Sequence, residues 1–256
     1  MNGLTEEELK RYNRHIILKD IGLPGQMKIK AGRVLVIGAG GLGSPVLMYL
    51  AAAGVGTIGV ADGDVIDISN LQRQVIHSTR GIGSSKAESA KRRMLEINPN
   101  VDVILYKEFL DEKSIAGIAA GYDFIVDGTD NFAAKLLIND TCTALGKPFS
   151  HGAIFEFEGH TFTHTPGSAC YRCIFGAAPP PEVMPAKAGA GLFGAIAGML
   201  GTIQAAEALK YLTGTGTLLT DSLLRFDART MDFIKLKVRK DPECPACGGK
   251  HSQTYI

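Results

Sequence analysis

Gly38, Gly40 and Gly43 fit the pattern G-x-G-x-x-G between the apolar run Val34 to Ile37 and the low-bulk run Ser44 to Ala53. With no Cβ atoms in the way, the backbone of such a turn can lie against a phosphate, and the N-terminus of the following helix favours the phosphate's charge. Asp62 stands 19 residues beyond Gly43, at the end of the next apolar run, where a carboxylate can accept hydrogen bonds from ribose hydroxyls. Taken alone, this fingerprint favours NAD or FAD.

The residues after Asp62 change the balance. Asp64, then Ser69, Asn70, Leu71, Gln72, Arg73 and Gln74, then Lys86, and finally Asp130 and Asn131 are groups, polar or charged except Leu71, expected near the carboxyl ends of the parallel strands. In an open α/β sheet the ends of the parallel strands are where ligands bind. A redox dinucleotide site asks for an apolar nicotinamide pocket with one acid or base. Two cations and a carboxylate instead suit a triphosphate with Mg²⁺, because a metal and positive side chains offset charge developing at phosphorus. Each of these charges, read singly, is also an ordinary solvated surface group.

Cysteines supply a second chemistry. Cys170 and Cys173 form one C-x-x-C pair, Cys244 and Cys247 another, and Cys142 stands apart. Two such pairs far apart in sequence predict a four-thiolate structural Zn²⁺ site with no open coordination position, in preference to a redox pair. Cys142 lies within an apolar helical pattern and reads as core. His151, His160 and His164 alternate with apolar residues and read as the polar faces of strands.

The elements that must position these groups follow from periodicity and punctuation. Thr5 and Glu8 make a capping-box pattern for a helix from Glu6 to His15, and Pro24 opens a second helix that ends before Gly32. Strands are expected at Val34 to Ile37, Thr57 to Ala61, Val101 to Tyr106 and Phe124 to Val126. Between them come helices at Ser44 to Ala53, Lys86 to Ile97, Lys113 to Ala120 and Asn131 to Leu145, a βαβ pattern of the doubly wound type. From Phe149 the runs shorten, predicting antiparallel strands at Ile154 to Phe157 and His160 to His164. A long loop over 176–191, a helix from Leu192 to Leu212 and a strand pair, Leu223 to Phe226 with Phe233 to Lys237, complete the pattern. The fold class is therefore α/β, a Rossmann-like, mainly parallel sheet extended by antiparallel strands. It forms one domain: N-terminal helices over 1–32, a nucleotide-binding half over 33–148, and a partner-binding and zinc half over 149–256.

Composition excludes more than it suggests. Lys plus Arg number 27 against 26 for Asp plus Glu, so no bulk charge draws the chain to nucleic acid or an anionic membrane. Ala188 to Ala206 carries no charge, but its Gly and Ala content gains little in hydrocarbon, so a packed helix is expected there. Met1 to Lys10 is polar and acidic, without the apolar core a signal peptide needs, and a cytoplasmic location is expected.

Arg11-Tyr12-Asn13-Arg14-His15-Ile16-Ile17-Leu18, the Gly38 to Gly43 loop, Ser69 to Gln74 and Gly128-Thr129-Asp130-Asn131 together resemble the MoeB/ThiF family of ubiquitin-activating-type adenylyltransferases. The likeness runs from Leu9 to Gly248 and is strongest to the family's molybdopterin-synthase adenylyltransferase branch. It implies that Gly41 and its neighbours lie against the phosphates and that Asp62 binds ribose. It assigns Asn70, Arg73, the rest of Ser69 to Gln72 and Lys86 to the triphosphate, Asp130 to Mg²⁺, and Asn131 to a place beside the nucleotide. It further implies a homodimer in which Arg14 reaches the other subunit's site. The partner it implies is a small ubiquitin-like sulfur-carrier protein ending in Gly-Gly, whose terminal carboxylate is adenylated and then thiocarboxylated by a separate sulfur donor. One departure stands out. Related members carry a cysteine in the loop before the late glycine-rich helix, whereas Phe175 to Gly189 has none, and Lys187 takes the nearest position. That departure, and the end of the sequence soon after Cys247, lead us to expect no covalent sulfur transfer through this chain. Other readings are an NAD-dependent oxidoreductase, a zinc-stabilised nucleotide-binding module without turnover, and a family member adenylating a peptide or a tRNA base.

Overall fold

The computed structural model describes residues 3–177 and 191–248. Eight strands form one sheet in the order β3-β2-β1-β4-β5-β6-β7-β8. The strands are β1 (Arg33–Ile37), β2 (Thr57–Ala61), β3 (Asp102–Tyr106), β4 (Phe124–Asp127), β5 (Phe149–Phe155), β6 (Glu158–His164), β7 (Ser222–Asp227) and β8 (Asp232–Lys237). The first five pair in parallel, and β6, β7 and β8 add on antiparallel.

The parallel half is wound by helices α4 (Gly43–Ala53), α5 (Lys86–Ile97), α6 (Ile115–Ala119) and α7 (Phe132–Ala144). Strand β1 shows why both faces need cover. Val34 and Val36 pack into one apolar cluster with Val46, Leu47, Leu50 and Met94, whereas Leu35 and Ile37 point into another with Ile115, Ile138 and Phe149. Alternation with period two sends a continuous apolar run to opposite faces, and each face must be covered. The chain leaves β1 toward β2 on one side and later enters β4 on the other. The loops after β1 and β4 therefore diverge, opening a crevice at the carboxyl ends of the strands.

Three short helices, α1 (Glu6–Arg11), α2 (Asn13–Ile16) and α3 (Gly22–Ala31), precede β1. The capping box is present as expected, with Thr5 and Glu8 bonded reciprocally. The single helix expected to His15 instead breaks at Tyr12. That residue leaves helical geometry and buries its ring against Gly54, a left-handed helix cap, while its hydroxyl accepts a 2.8 Å bond from Asn98.

The strand expected at Ile154 to Phe157 is also displaced. β5 already begins at Phe149, and the chain turns at Glu156, whose φ is +49°. Leu192 to Gly194 likewise precede the late helix, α9 (Ala195–Thr213), with Leu192 bridged to Glu156. A short helix, α8 (Tyr171–Phe175), follows β6. No helix among the described residues is long and apolar enough to cross a membrane. The long loop expected over 176–191 and Lys187 lie largely or wholly outside the described residues.

Candidate active site

The loop between β1 and α4 has the shape its glycines permit. Gly38 sits at φ +98°, where a Cβ would also fall 2.7 Å from the Gly128 carbonyl oxygen. A Cβ on Gly43 would overlap the Gly38 carbonyl itself. The loop is therefore locked between its own backbone and the turn after β4. Asp62, nearly buried at the end of β2, closes it from below: one carboxylate oxygen accepts from the Ala39 amide at 2.8 Å and the other from the Asp64 amide at 2.8 Å.

Asp64 carries the arrangement onward. Its side chain accepts from Lys86 Nζ at 2.9 Å, and its main-chain carbonyl accepts from the Lys86 amide at 3.0 Å. Lys86 begins α5, keeps its stem buried, and is joined to the glycine loop through Asp64 and Asp62. The 69–74 segment lies along the other side. Arg73 comes within ordinary contact distance of the Cβ position on Gly41, and Gln74 within 3.5 Å of that on Gly40. Gln72 packs against Gly194 ahead of α9. Ser69 and Asn70 form a capping box with Asp67 around a 3₁₀ turn, and the Ser69 carbonyl accepts from Arg73 Nη1 at 3.1 Å. Leu71 is half-buried in the same segment.

Asp130 and Asn131 enter from β4. Asn131 caps α7, accepting from the Ala134 amide at 2.9 Å, and Asp130 is exposed beside it. The structure thus gathers the glycine loop, Asp62, Asp64, the 69–74 segment and Lys86 at one end of the sheet, with the Asp130 turn packed on Gly38. Arg14 is not part of that cluster within one chain. It is exposed on α2, with no hydrogen bond or ion pair to these residues among those described.

Two buried groups behind this surface have no counterpart in the sequence reading. His77 bridges the Ala39 carbonyl (2.9 Å from Nε2) and the Ser89 hydroxyl (3.1 Å from Nδ1). A carbonyl only accepts, so Nε2 carries the hydrogen and Nδ1 accepts from Ser89. Burial pushes the His77 pKa down, in keeping with that neutral tautomer.

The second group is Asp127, the last residue of β4. One of its oxygens accepts from the Thr129 amide (3.0 Å) and hydroxyl (2.6 Å). The other accepts from Lys135 Nζ (3.0 Å) and His151 Nδ1 (2.9 Å). Burial alone would raise the Asp127 carboxyl, but the Lys135 ammonium and the His151 hydrogen bond hold it well below the usual carboxylate range. His151 is pushed down to about 4, chiefly by burial, and so is neutral. The expectation that the strand histidines form polar surface is corrected here: His151 is buried because α7 and α9 pack on β5 near its start, and His164, at the end of β6, is buried against the Phe149 ring with its Nδ1 3.2 Å from the Ala169 carbonyl. Cys142 is buried as expected, its thiol pushed up by desolvation.

The two C-x-x-C pairs meet. Cys170 Sγ lies 3.9 Å from Cys173 Sγ and 3.6 Å from Cys244 Sγ, and Cys173 and Cys247 are 3.4 Å apart. Tetrahedral bonds of ~2.3 Å put sulfurs about 3.8 Å apart, whereas a disulfide requires ~2.05 Å. The four sulfurs, all within 4.8 Å of one another, have the geometry of a metal centre of the kind zinc occupies. The Asn139 side chain accepts from the Tyr171 amide, and Asp140 forms a two-point ion pair with Arg172, fixing α8 and its cysteines on α7.

Residues 12–246 match the model of the ThiF family. The chain belongs to that family. This ThiF-family chain is 45% identical to the sulfur carrier protein adenylyltransferase of Thermus thermophilus, over 98% of its own length and 95% of the relative's. It is 44% identical to the SAMP-activating enzyme E1 of Haloferax volcanii, over 96% and 91% of the two chains. Among solved structures, Escherichia coli MccB with ATP superposes with a TM-score of 0.84 at 22% identity, covering 95% of this chain and 75% of that one. The last likeness bears on the fold.

Proposed function

We propose that this ThiF-family chain is an adenylyltransferase that uses ATP to activate the C-terminal glycine carboxylate of a small ubiquitin-like sulfur carrier ending in Gly-Gly. One observation carries the reading. Arg73 lies beside the glycine loop, and Lys86 is joined to it through Asp62 and Asp64, in a chain 45% identical to a sulfur carrier protein adenylyltransferase. Cations around a phosphate-binding loop support transfer at phosphorus, not the hydride chemistry of an NAD-dependent oxidoreductase.

The carrier's carboxylate oxygen forms a bond to the α-phosphorus while the bridging bond to the β-phosphate breaks, releasing pyrophosphate. A carboxylate is already ionised and nucleophilic, so alignment and charge neutralisation supply most of the catalysis. Gly41 and its neighbours in the loop lie against the phosphates, the Gly38 and Ala39 amides being held by Ala61 and Asp62, and Asp62 takes the ribose. Ser69 to Arg73 and Lys86 hold the triphosphate, with Asn131 beside the nucleotide. The exposed carboxylate of Asp130 suits Mg²⁺, a cation that prefers oxygen ligands and supplies positive charge at the phosphates. In a homodimer Arg14 completes the site of the other subunit, and residues 149–256 provide the partner-binding half. Cys170, Cys173, Cys244 and Cys247 hold a structural Zn²⁺ whose four sulfur ligands leave no catalytic position. Sulfur from a separate donor displaces AMP at the acyl carbon of the adenylate, leaving a thiocarboxylate, and the four cysteine thiolates suit the reducing cytoplasm.

The test is ATP–pyrophosphate exchange with Mg²⁺, run with carriers ending in Gly-Gly and with the same carriers lacking the last glycine. Exchange that requires the intact terminus is expected. Absence of exchange with every carrier, despite ATP binding, refutes the reading.

A further inference from the structure

Lys135 is a lysine on α7, all but buried, with three acceptors drawn from the β4 turn and from β5. Its ammonium donates to the Asp127 carboxylate at 3.0 Å, to the Thr129 carbonyl at 2.9 Å and to the Gly152 carbonyl at 2.7 Å. An ammonium has three hydrogens, so its whole capacity is committed. Burying it costs desolvation that is recovered only by such full pairing.

Two of the three acceptors bracket one short turn. Asp127 is the last residue of β4, and Thr129 immediately precedes Asp130. Asp127 also grips Thr129 through its amide and hydroxyl. The third acceptor, Gly152, lies on β5, where Gln204 of α9 backs the same region by donating to the Asp127 and Ser150 carbonyls. The turn's other side packs on Gly38. Its path is thus fixed from β4, β5, α7 and α9 together, and Lys135 is the common donor.

We propose that Lys135 is a positioning residue for the reaction: through Asp127 and Thr129 it holds the Gly128–Asn131 turn in the shape that presents Asp130 and Asn131 to the nucleotide. The proposal rests on the adenylation reading for the role of Asp130. It differs from a stabilising role in what it predicts. A lysine that merely stabilised the fold would, when lost, reduce the amount of folded enzyme and leave the metal requirement of the remainder unchanged.

The experiment compares wild type, Lys135→Met, and the double variant Asp127→Asn/Lys135→Met, which removes both buried charges and so avoids stranding one. In ATP–pyrophosphate exchange, the Mg²⁺ concentration for half-maximal rate is expected to rise by about tenfold in the variants, as befits loss of a charged hydrogen bond. Binding of ATP without divalent metal is expected to change less. Hydrogen exchange of the peptide spanning 128–131 is expected to speed up by about tenfold, with the β1 peptide unchanged. A folded variant with unmoved Mg²⁺ half-saturation, or with unchanged protection over 128–131, overturns the proposal. Wild-type protein that exchanges with no carrier refutes the adenylation reading instead, and the hydrogen-exchange comparison then still decides whether Lys135 holds the turn.

Discussion

Replacing Lys86 by methionine keeps the buried stem and removes only the ammonium. The structural cost follows from its surroundings. The lysine side chain is 8% exposed, but its partner Asp64 is 54% exposed and can be rehydrated when the pair is lost. An ion pair with one wet partner contributes between zero and about 1 kcal/mol, so a melting temperature lowered by no more than ~2–4 °C is expected. The catalytic cost should be far larger. A preorganised cation facing charge that develops at phosphorus contributes on the scale of an oxyanion-hole donor, roughly 10²–10³ in rate or about 2.7–4 kcal/mol. Thermal melts and ATP–pyrophosphate exchange on the same preparation separate the two effects. Exchange within a factor of about three of wild type, well below the lower bound of that range, would sink the assignment of Lys86 to the triphosphate. Loss of activity only in step with loss of folded protein would do the same.

Gly43→Ala sets a methyl group into the Gly38 carbonyl, so weaker ATP binding by equilibrium titration is expected together with a lower melting temperature; unchanged ATP affinity would count against the glycine loop as the phosphate cradle. Cys244→Ser should release the metal, which elemental analysis would read as a fall from about one zinc per chain, with a melting temperature lowered by more than ~5 °C. A zinc-free wild type would remove the metal reading. Acidification should destabilise the fold from about pH 6.5 down to about 3. Burial holds His151 down at about 4 and His160 at about 3 in the native state, so the unfolded chain binds their protons first and gains stability as pH falls. Each such group contributes up to about 1.4 kcal/mol per pH unit, and His160→Gln should flatten the dependence measured by urea unfolding at pH 7 and pH 5. An unaltered slope would contradict burial as the cause.

The parallel half was readable because its signals agree. Apolar runs, a glycine turn and cap residues all point to the same strands and helices, and β2 spans Thr57–Ala61 as expected. The cysteine cluster was readable because paired spacing encodes a metal geometry directly. What stayed hidden depends on tertiary cover. The alternation after Phe149 looked like strands with one wet face, yet residues 149–152 are buried on both sides and only the later residues of β5 emerge. The turn at Glu156 lacks a glycine or proline of its own, so nothing local marked it. Asp127, Lys135 and His151 come from different elements, and no motif spacing announces a hydrogen-bonded group that forms only when α7 and β5 close on β4. Arg14 is the reverse case: the family resemblance names it, whereas a single chain leaves it away from the cluster.

The thiolate pairs are separated by 74 residues of chain, a span that includes all of α9 and the β7–β8 hairpin. A metal ion gripping both pairs converts that span into a closed ring, and a ring has far fewer unfolded arrangements than a free tail. By the chain-entropy estimate used for covalent cross-links, a loop of this size is worth about 4 kcal/mol. That term would act on the unfolded chain and would add to the six-residue pairing with β7 that holds β8, an edge strand exposed along its whole length with little burial of its own.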